Sequence, residues 1–311
     1  MALVRSPVDA IGDTPLVELR KVVPPGSARV VVKLESQNPT GSMKDRAALA
    51  MIRGAAADGH LVPGGTVVEY TGGSTGTSLA FVAAALGYRC HLVSSDAFSE
   101  EKLDHMRALG ARLTLVRSDR KRITEKLIKS MIETSRRIAA RPGHFWSDQL
   151  NNPHATRGYH PLGEEIWRDT GGRVDAFVQG VGTAHSLTGT VEALRRHDPK
   201  VRAWAMEPEE SPILSQGRTG GHRIEGIGIG FVPPLWQPDL VEGVISVRSR
   251  DAHAMARRLA REEALFGGAS SGGNVVAALQ IAEQLGPGAT VATLMVDSGL
   301  KYLTTEVYRH R

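Results

Sequence analysis

The chain has 311 residues, 41% hydrophobic and 23% charged, with 38 Lys and Arg against 33 Asp and Glu for a formal charge of +5. That length buries a sizeable core or two, and a single cysteine excludes an internal disulfide. The basic surplus is scattered and its densest run, RSDRKR at 117–122, also carries an acid, so it reads as a solvated face and no nucleic-acid partner is expected.

The first residues, MALVRSPVDAIGDTP, lack the apolar stretch of a signal peptide, and no later run is long enough to span a bilayer. A cytoplasmic protein without a membrane partner is expected. Short β-branched runs predict strands at VVVKLE (30–35), TVVEY (66–70), CHLVS (90–94), RLTLV (112–116), AFVQG (176–180), RAWAME (202–207) and TVATLMV (290–296). Amphipathic or alanine-rich segments between them predict helices: DRAALAMIRGAAADG from 45, EKLDHMRALG from 101, ITEKLIKSMIETSRRIAAR from 123, VEALRRH from 191 and DAHAMARRLAREEALF from 251. The alternation predicts an α/β protein with mostly parallel sheets and helices on both faces. Cys90, inside the apolar YRCHLV, reads as a small core residue. The stretch RPGHFWSDQLNNPHATRGYHPLGEE, 141–165, breaks the rhythm and reads as the crossing between an N-terminal and a C-terminal α/β unit. Its His154 and His160 have no Cys or acidic partners at ligand spacing, so no metal site is expected.

In SQNPTGSMKDRAALA, Lys44 follows a Pro/Gly/Ser turn and opens a helix, where the macrodipole favours Asp45 and opposes a cation. A positive helix end and partial desolvation both lower an amine's pKa, and a neutral amine is what Schiff-base or general-base chemistry needs. The alternative is a solvated lysine without a chemical role. Two glycine-bearing loops, EYTGGSTGT (69–77) and QGVGTAHS (179–186), each follow an expected strand. Either suits an anion, because consecutive backbone N–H groups at a helix N-terminus point at it.

NPTGSMKDR, 38–46, resembles the Asn-Pro-x-x-Ser-x-Lys-Asp-Arg motif of the cysteine synthase and cystathionine β-synthase family, pyridoxal-phosphate (PLP) enzymes of fold type II. The resemblance continues in order through IGDTPLVEL (11–19), TGGSTGTSLA (71–80), DQLNNP (148–153), VGTAHSLTG (181–189), EGIGIGFVPP (225–234), GGASSGGN (267–274) and DSGLKYLTT (297–305). It implies two α/β domains, tryptophan synthase β-like, with PLP in the cleft between them. The smaller, mobile N-terminal domain would span 36–150, and the larger, phosphate-binding one 1–35 plus 151–311. It further implies a homodimer.

The resemblance also distributes roles. Lys44 would form the Schiff base with PLP and take the Cα proton, framed by Asn38, Ser42, Asp45 and Arg46. The phosphate falls to Gly182, Thr183, Ala184, His185 and Ser186. The family has Gly-Thr-Gly-Gly-Thr there, so Ala184 and His185 restrict the backbone; His185 either adds a donor or, as expected here, points outwards. Ser270 would meet the pyridine nitrogen, with Ser271 capping the helix GGNVVAALQIAEQL. The substrate carboxylate falls to Thr71, Gly72, Ser74, Thr75 and Gln149, although Gln149 by itself also reads as an interdomain hydrogen bond. Ser74 stands where the family has asparagine, which also reaches the cofactor; a shorter side chain with one donor implies an unusual donor or acceptor preference. The implied reaction is PLP-dependent β-replacement on an activated serine, a sulfur nucleophile adding to an aminoacrylate. Alternatives are S-sulfocysteine, cystathionine, cyanoalanine or diaminopropionate synthesis, β-elimination by a lyase or dehydratase, and a non-catalytic regulatory protein on the same fold.

Overall fold

The computed structural model describes residues 3–120 and 124–309; Lys121 and Arg122 of the basic run, and Ile123 at the start of an expected helix, lie outside them. In chain order the elements begin with β1 (Leu16–Glu18), β2 (Arg29–Leu34), α1 (Lys44–Ala57), β3 (Thr66–Tyr70), α2 (Ser74–Ala85), β4 (Arg89–Ser95) and α3 (Glu100–Ala108). Next come β5 (Arg112–Val116), α4 (Glu125–Ala139), β6 (His144–Trp146), α5 (Pro153–Arg157), α6 (His160–Asp169), β7 (Ala176–Gly180) and α7 (His185–His197). The last are β8 (Arg202–Pro208), α8 (Ile213–Gln216), β9 (Gly243–Val247), α9 (Ser249–Glu262), α10 (Ala269–Leu285) and β10 (Thr290–Met295). Among the described residues no helix is long and apolar enough to cross a membrane.

Two compact units result. One is Asn38–Gly158 with the segment ending at Ile11; the other is Gly12–Gln37 with the chain from Tyr159 onward. The first is built on a four-stranded sheet, β5-β4-β3-β6, parallel throughout. Its inner strand β3, TVVEY, is buried at every position, as a strand covered on both faces must be. The edge strand β5 is only half-buried. Helix α4 starts at Thr124, whose hydroxyl accepts the Leu127 N–H at 3.2 Å, and buries Leu127, Met131 and Ile138 along one stripe.

The second unit carries a six-stranded sheet, β1-β2-β10-β7-β8-β9, in which only β1 runs antiparallel to its neighbour. Its core joins Val30, Val32, Val178, Val275, Ile281 and Val291 of the sheet and α10 to Ala252, Ala256 and Leu259 of α9. Gly272 permits the close approach of these helices: a Cβ there would stand 2.1 Å from the Ala252 carbonyl oxygen. Within β2, Lys33 is fully buried, its ammonium 2.8 Å from Asp169 and 3.0 Å from Glu165.

All seven expected strands form, most within a residue of their expected ends. Strands β1, β6 and β9 have no counterpart among the expectations. Each lies at a sheet edge, where pairing with a remote partner defines the strand more than its own residues do. In particular, 141–165 holds a strand and a short helix as well as turns.

Candidate active site

Lys44 is the first residue of α1 and is half-buried. The turn before it is fixed by its own side chains. Asp45, fully buried, accepts the Thr40 N–H at 2.8 Å and the Thr40 hydroxyl at 2.6 Å. Ser42 accepts the Lys44 N–H at 3.2 Å, and the Asn38 carbonyl accepts the Gly41 N–H at 2.7 Å. Asn38 and Arg46 are both buried. These residues frame the helix start at Lys44, as expected.

In the same unit, β3 delivers the loop 71–76 into α2. Thr71 is spent inside the loop: its hydroxyl accepts the N–H groups of Gly73 and Gly76, each at 3.1 Å. The N–H groups of Gly72, Ser74 and Thr75 have no acceptor among the described residues. Three donors at the N-terminus of a twelve-residue helix suit an anion such as a carboxylate. Gly72 has no room for a side chain, since a Cβ would stand 2.3 Å from the Phe98 ring. Gln149 joins this loop from after β6: its side-chain amide donates to the Tyr70 carbonyl at 2.9 Å, one residue before Thr71.

Beneath the loop lies a residue that sequence reasoning missed. Glu69 is fully buried in β3, and its carboxylate accepts from Tyr70 N–H, the Trp146 indole, the Ser147 hydroxyl and Gln149 N–H. Burial pushes its pKa up to about 7, against the lowering effect of those four bonds. An acid inside a β-branched run signals burial, yet its partners lie about eighty positions away and cannot be read from spacing.

In the second unit, β7 delivers the loop 182–186 into α7. The N–H groups of Gly182, Thr183, Ala184 and Ser186 have no acceptor among the described residues. Such a concave run at a helix N-terminus fits a phosphate dianion. Ala184 takes the left-handed conformation, φ 71°, at a cost of about 1 kcal/mol for a residue with a Cβ. The loop therefore forms without the glycine that the family has there. His185 does not point outwards: as the first residue of α7 it is buried, 3% exposed, where the strand-to-helix turn closes. Gly182 is pressed against a neighbouring segment, where a Cβ would stand 2.5 Å from the Gly226 carbonyl oxygen.

Helix α10 supports the same loop. Asn274, fully buried, accepts the Gly180 N–H at 2.8 Å and donates to Gln179 at 2.9 Å and to the Leu294 carbonyl at 3.0 Å. It locks the end of β7 and was not singled out from sequence. Ser270 is buried in the first turn of α10, and its hydroxyl has no partner among the described residues. Ser271 does not cap the helix. The cap position is Gly268, and the Ser271 hydroxyl instead accepts the Val296 N–H at 3.0 Å, because the helix begins three residues earlier than the expected GGNVVAALQIAEQL.

The remaining titratable candidates are structural. Burial pushes the Cys90 thiol up to about 12, so it is inert at neutral pH. His154 pairs with Asp58 at 2.8 Å and His160 with Glu192 at 2.7 Å.

The chain is similar to known proteins along nearly its whole length. A family model described as "Pyridoxal-phosphate dependent enzyme" matches residues 8–297. A cysteine synthase of Staphylococcus aureus is 40% identical over 313 residues, covering 98% of this chain and 99% of the relative. A crystal structure of cysteine synthase from Entamoeba histolytica superposes with a TM-score of 0.93 at 34% identity, covering 100% of this chain and 92% of that one. An O-ureido-L-serine synthase reaches 0.92 at 38% identity, covering 99% and 96%.

Proposed function

The chain belongs to the family of pyridoxal-phosphate-dependent enzymes, and on that premise we propose that it replaces the β-substituent of an activated serine, O-acetylserine foremost, with a sulfur nucleophile. The observation that carries the reading is the pair of unspent N–H clusters, that of Gly72, Ser74 and Thr75 and that of Gly182, Thr183, Ala184 and Ser186, each at the C-terminal end of a strand and the N-terminus of a helix. One suits a carboxylate and the other a phosphate.

When bound, the cofactor supplies the electron sink that lets a serine-derived amino acid lose its Cα proton and its β-substituent. Lys44 would hold the cofactor's aldehyde carbon covalently and act as base for the Cα proton. Gly182, Thr183, Ala184, His185 and Ser186 would hold the phosphate, with Thr183 and Ser186 adding hydroxyls. Ser270 would offer the ring nitrogen a neutral hydroxyl in place of a carboxylate, which tempers the sink and favours loss of the β-substituent over other outcomes. Thr71, Gly72, Ser74, Thr75 and Gln149 would receive the substrate carboxylate.

A second reading rests on Ser74, whose side chain is too short for the contact that the family's asparagine makes. It is that the acceptor is not sulfide, as the 38% identity to an O-ureido-L-serine synthase also favours. The proposal further makes the protein a cytoplasmic homodimer, which light scattering after size exclusion would check. Lys44→Ala is expected to abolish both the visible absorbance of the bound cofactor and turnover. Retention of both would refute the assignment.

A further inference from the structure

Glu69 is placed to control the carboxylate loop without touching a substrate. Its Oε1 accepts Tyr70 N–H at 3.0 Å and the Trp146 indole N–H at 3.4 Å; its Oε2 accepts the Ser147 hydroxyl at 2.8 Å and Gln149 N–H at 2.9 Å. Four donors use the full acceptor capacity of an ionised carboxylate. Gln149 is thereby held at both ends, by Glu69 at its backbone and by the Tyr70 carbonyl at its side chain. Tyr70 in turn leads into Thr71, whose own carbonyl accepts from Ser94 at 2.8 Å.

The surroundings also allow a proton. Among the described residues no Lys or Arg forms an ion pair with Glu69, and burial outweighs its four hydrogen bonds to hold its pKa at about 7. Ser147 lies 3.2 Å from the Val68 carbonyl as well as 2.8 Å from Glu69. Its hydroxyl can turn to Val68 and accept from a protonated Glu69. The neutral acid would keep its place but hold Gln149 N–H more weakly, since bonds to an ionised acceptor are roughly twice as strong. The titratable neighbours are Tyr70 on β3, Cys90 on β4 and Asp148 after β6, with Arg136 of α4 over the Trp146 ring at 5.4 Å. Burial raises both Tyr70 and Cys90, so neither ionises near neutrality. Helix α2 carries no titratable side chain. His91 and His144 sit on the opposite face of the sheet, in register with Val68 and Thr66.

We propose that Glu69 is a positioning residue for the carboxylate loop: ionised, it fixes Gln149 and, through Tyr70, the start of the loop at Thr71; protonated, it loosens that grip and weakens substrate binding. The proposal rests on the assignment of the loop at 71–76 to the substrate carboxylate. Trp146 provides a local reporter that is independent of turnover.

The test uses the holoenzyme from pH 6 to 9. L-Serine binding is read from the cofactor's absorbance, and Trp146 emission as the difference from a Trp146→Phe variant. Both signals are expected to share a midpoint near 7. Between pH 8 and 6 the wild-type Kd for serine should rise about tenfold more than that of Glu69→Gln, because about one tenth of Glu69 stays ionised one pH unit below its midpoint. The amine and the cofactor titrate in both proteins and cancel. Ser147→Ala removes the hydroxyl's bond to either form of Glu69, of which that to the charged form is the stronger, and should move the midpoint of Trp146 emission up by about half to one unit, which a merely structural role would not do. The same variant keeps the question answerable if Glu69→Gln does not fold. Trp146 emission without a midpoint between pH 6 and 8, a midpoint unmoved in Ser147→Ala, or a wild-type pH response in Glu69→Gln would each overturn the proposal. An absorbance that no amino acid alters, with the Trp146 titration intact, would instead refute the proposed reaction.

Discussion

Gly182→Ala tests whether the phosphate loop is held by contact geometry rather than by its sequence alone. The new Cβ would stand 2.5 Å from the Gly226 carbonyl oxygen, about 0.9 Å inside ordinary contact. The obstacle is backbone, so no rotamer change relieves it. Overpacking of this kind costs about 1–3 kcal/mol, and an immovable neighbour argues for the upper half of that range. At roughly 2–4 °C per kcal/mol for a body of this size, Tm should fall by about 6 °C. Relief by displacement of the loop would spoil the convergence of the N–H groups at 182–186, so the Kd for pyridoxal phosphate should rise at least about tenfold, or 1.4 kcal/mol. Gly221→Ala is the control, because a Cβ there meets nothing within 4 Å. Thermal melts of the apoprotein and a cofactor titration give both numbers. If Gly182→Ala matches Gly221→Ala in both, the loop is not built as described.

Lys33→Met leaves Glu165 and Asp169 facing a thioether where an ammonium stood at 3.0 and 2.8 Å. It should cost about 3–5 kcal/mol, as urea melts at pH 8 would show; an unchanged midpoint would contradict the burial of the two carboxylates against Lys33. Ser74→Asn restores the longer amide and should shift the substrate profile towards sulfide, measured as the ratio of kcat/KM between nucleophiles; an unchanged ratio makes Ser74 a tolerated variant. Glu69 also makes stability depend on pH. Its folded value of about 7 stands above the ordinary 4.5, so its contribution is complete below about 4.5 and is lost as pH rises through about 7. At about 1.4 kcal/mol per pH unit the loss is about 3 kcal/mol, and Glu69→Gln should remove that part of the slope in denaturant melts at pH 5 and 8.

Much of this was legible because buried parallel strands announce themselves. TVVEY and AFVQG occupy β3 and β7 residue for residue, since a strand covered on both faces reads as a short, mostly apolar run. Both strand-to-helix loops were legible too, as glycine and hydroxyl residues between a strand and a helix. What stayed hidden depends on partners remote in sequence. Strand β6, HFW, exists because Thr66–Val68 pairs with it, and Glu69 matters because Trp146, Ser147 and Gln149 close around it. His185 was misjudged for the same reason: a polar residue beside a loop gives no sign of burial until the fold is closed around it. Ser271 looked like a cap because apolar periodicity starts after it, whereas the helix starts at Ala269 and spends that hydroxyl on Val296.

The most direct measurement mixes the holoenzyme first with O-acetylserine alone and then with sulfide, following cofactor absorbance and products by mass spectrometry. β-Replacement requires an absorbance change that persists with O-acetylserine alone and reverts on sulfide addition with one cysteine formed per site. Prompt release of pyruvate and ammonia, with no cysteine when sulfide is present, would contradict it.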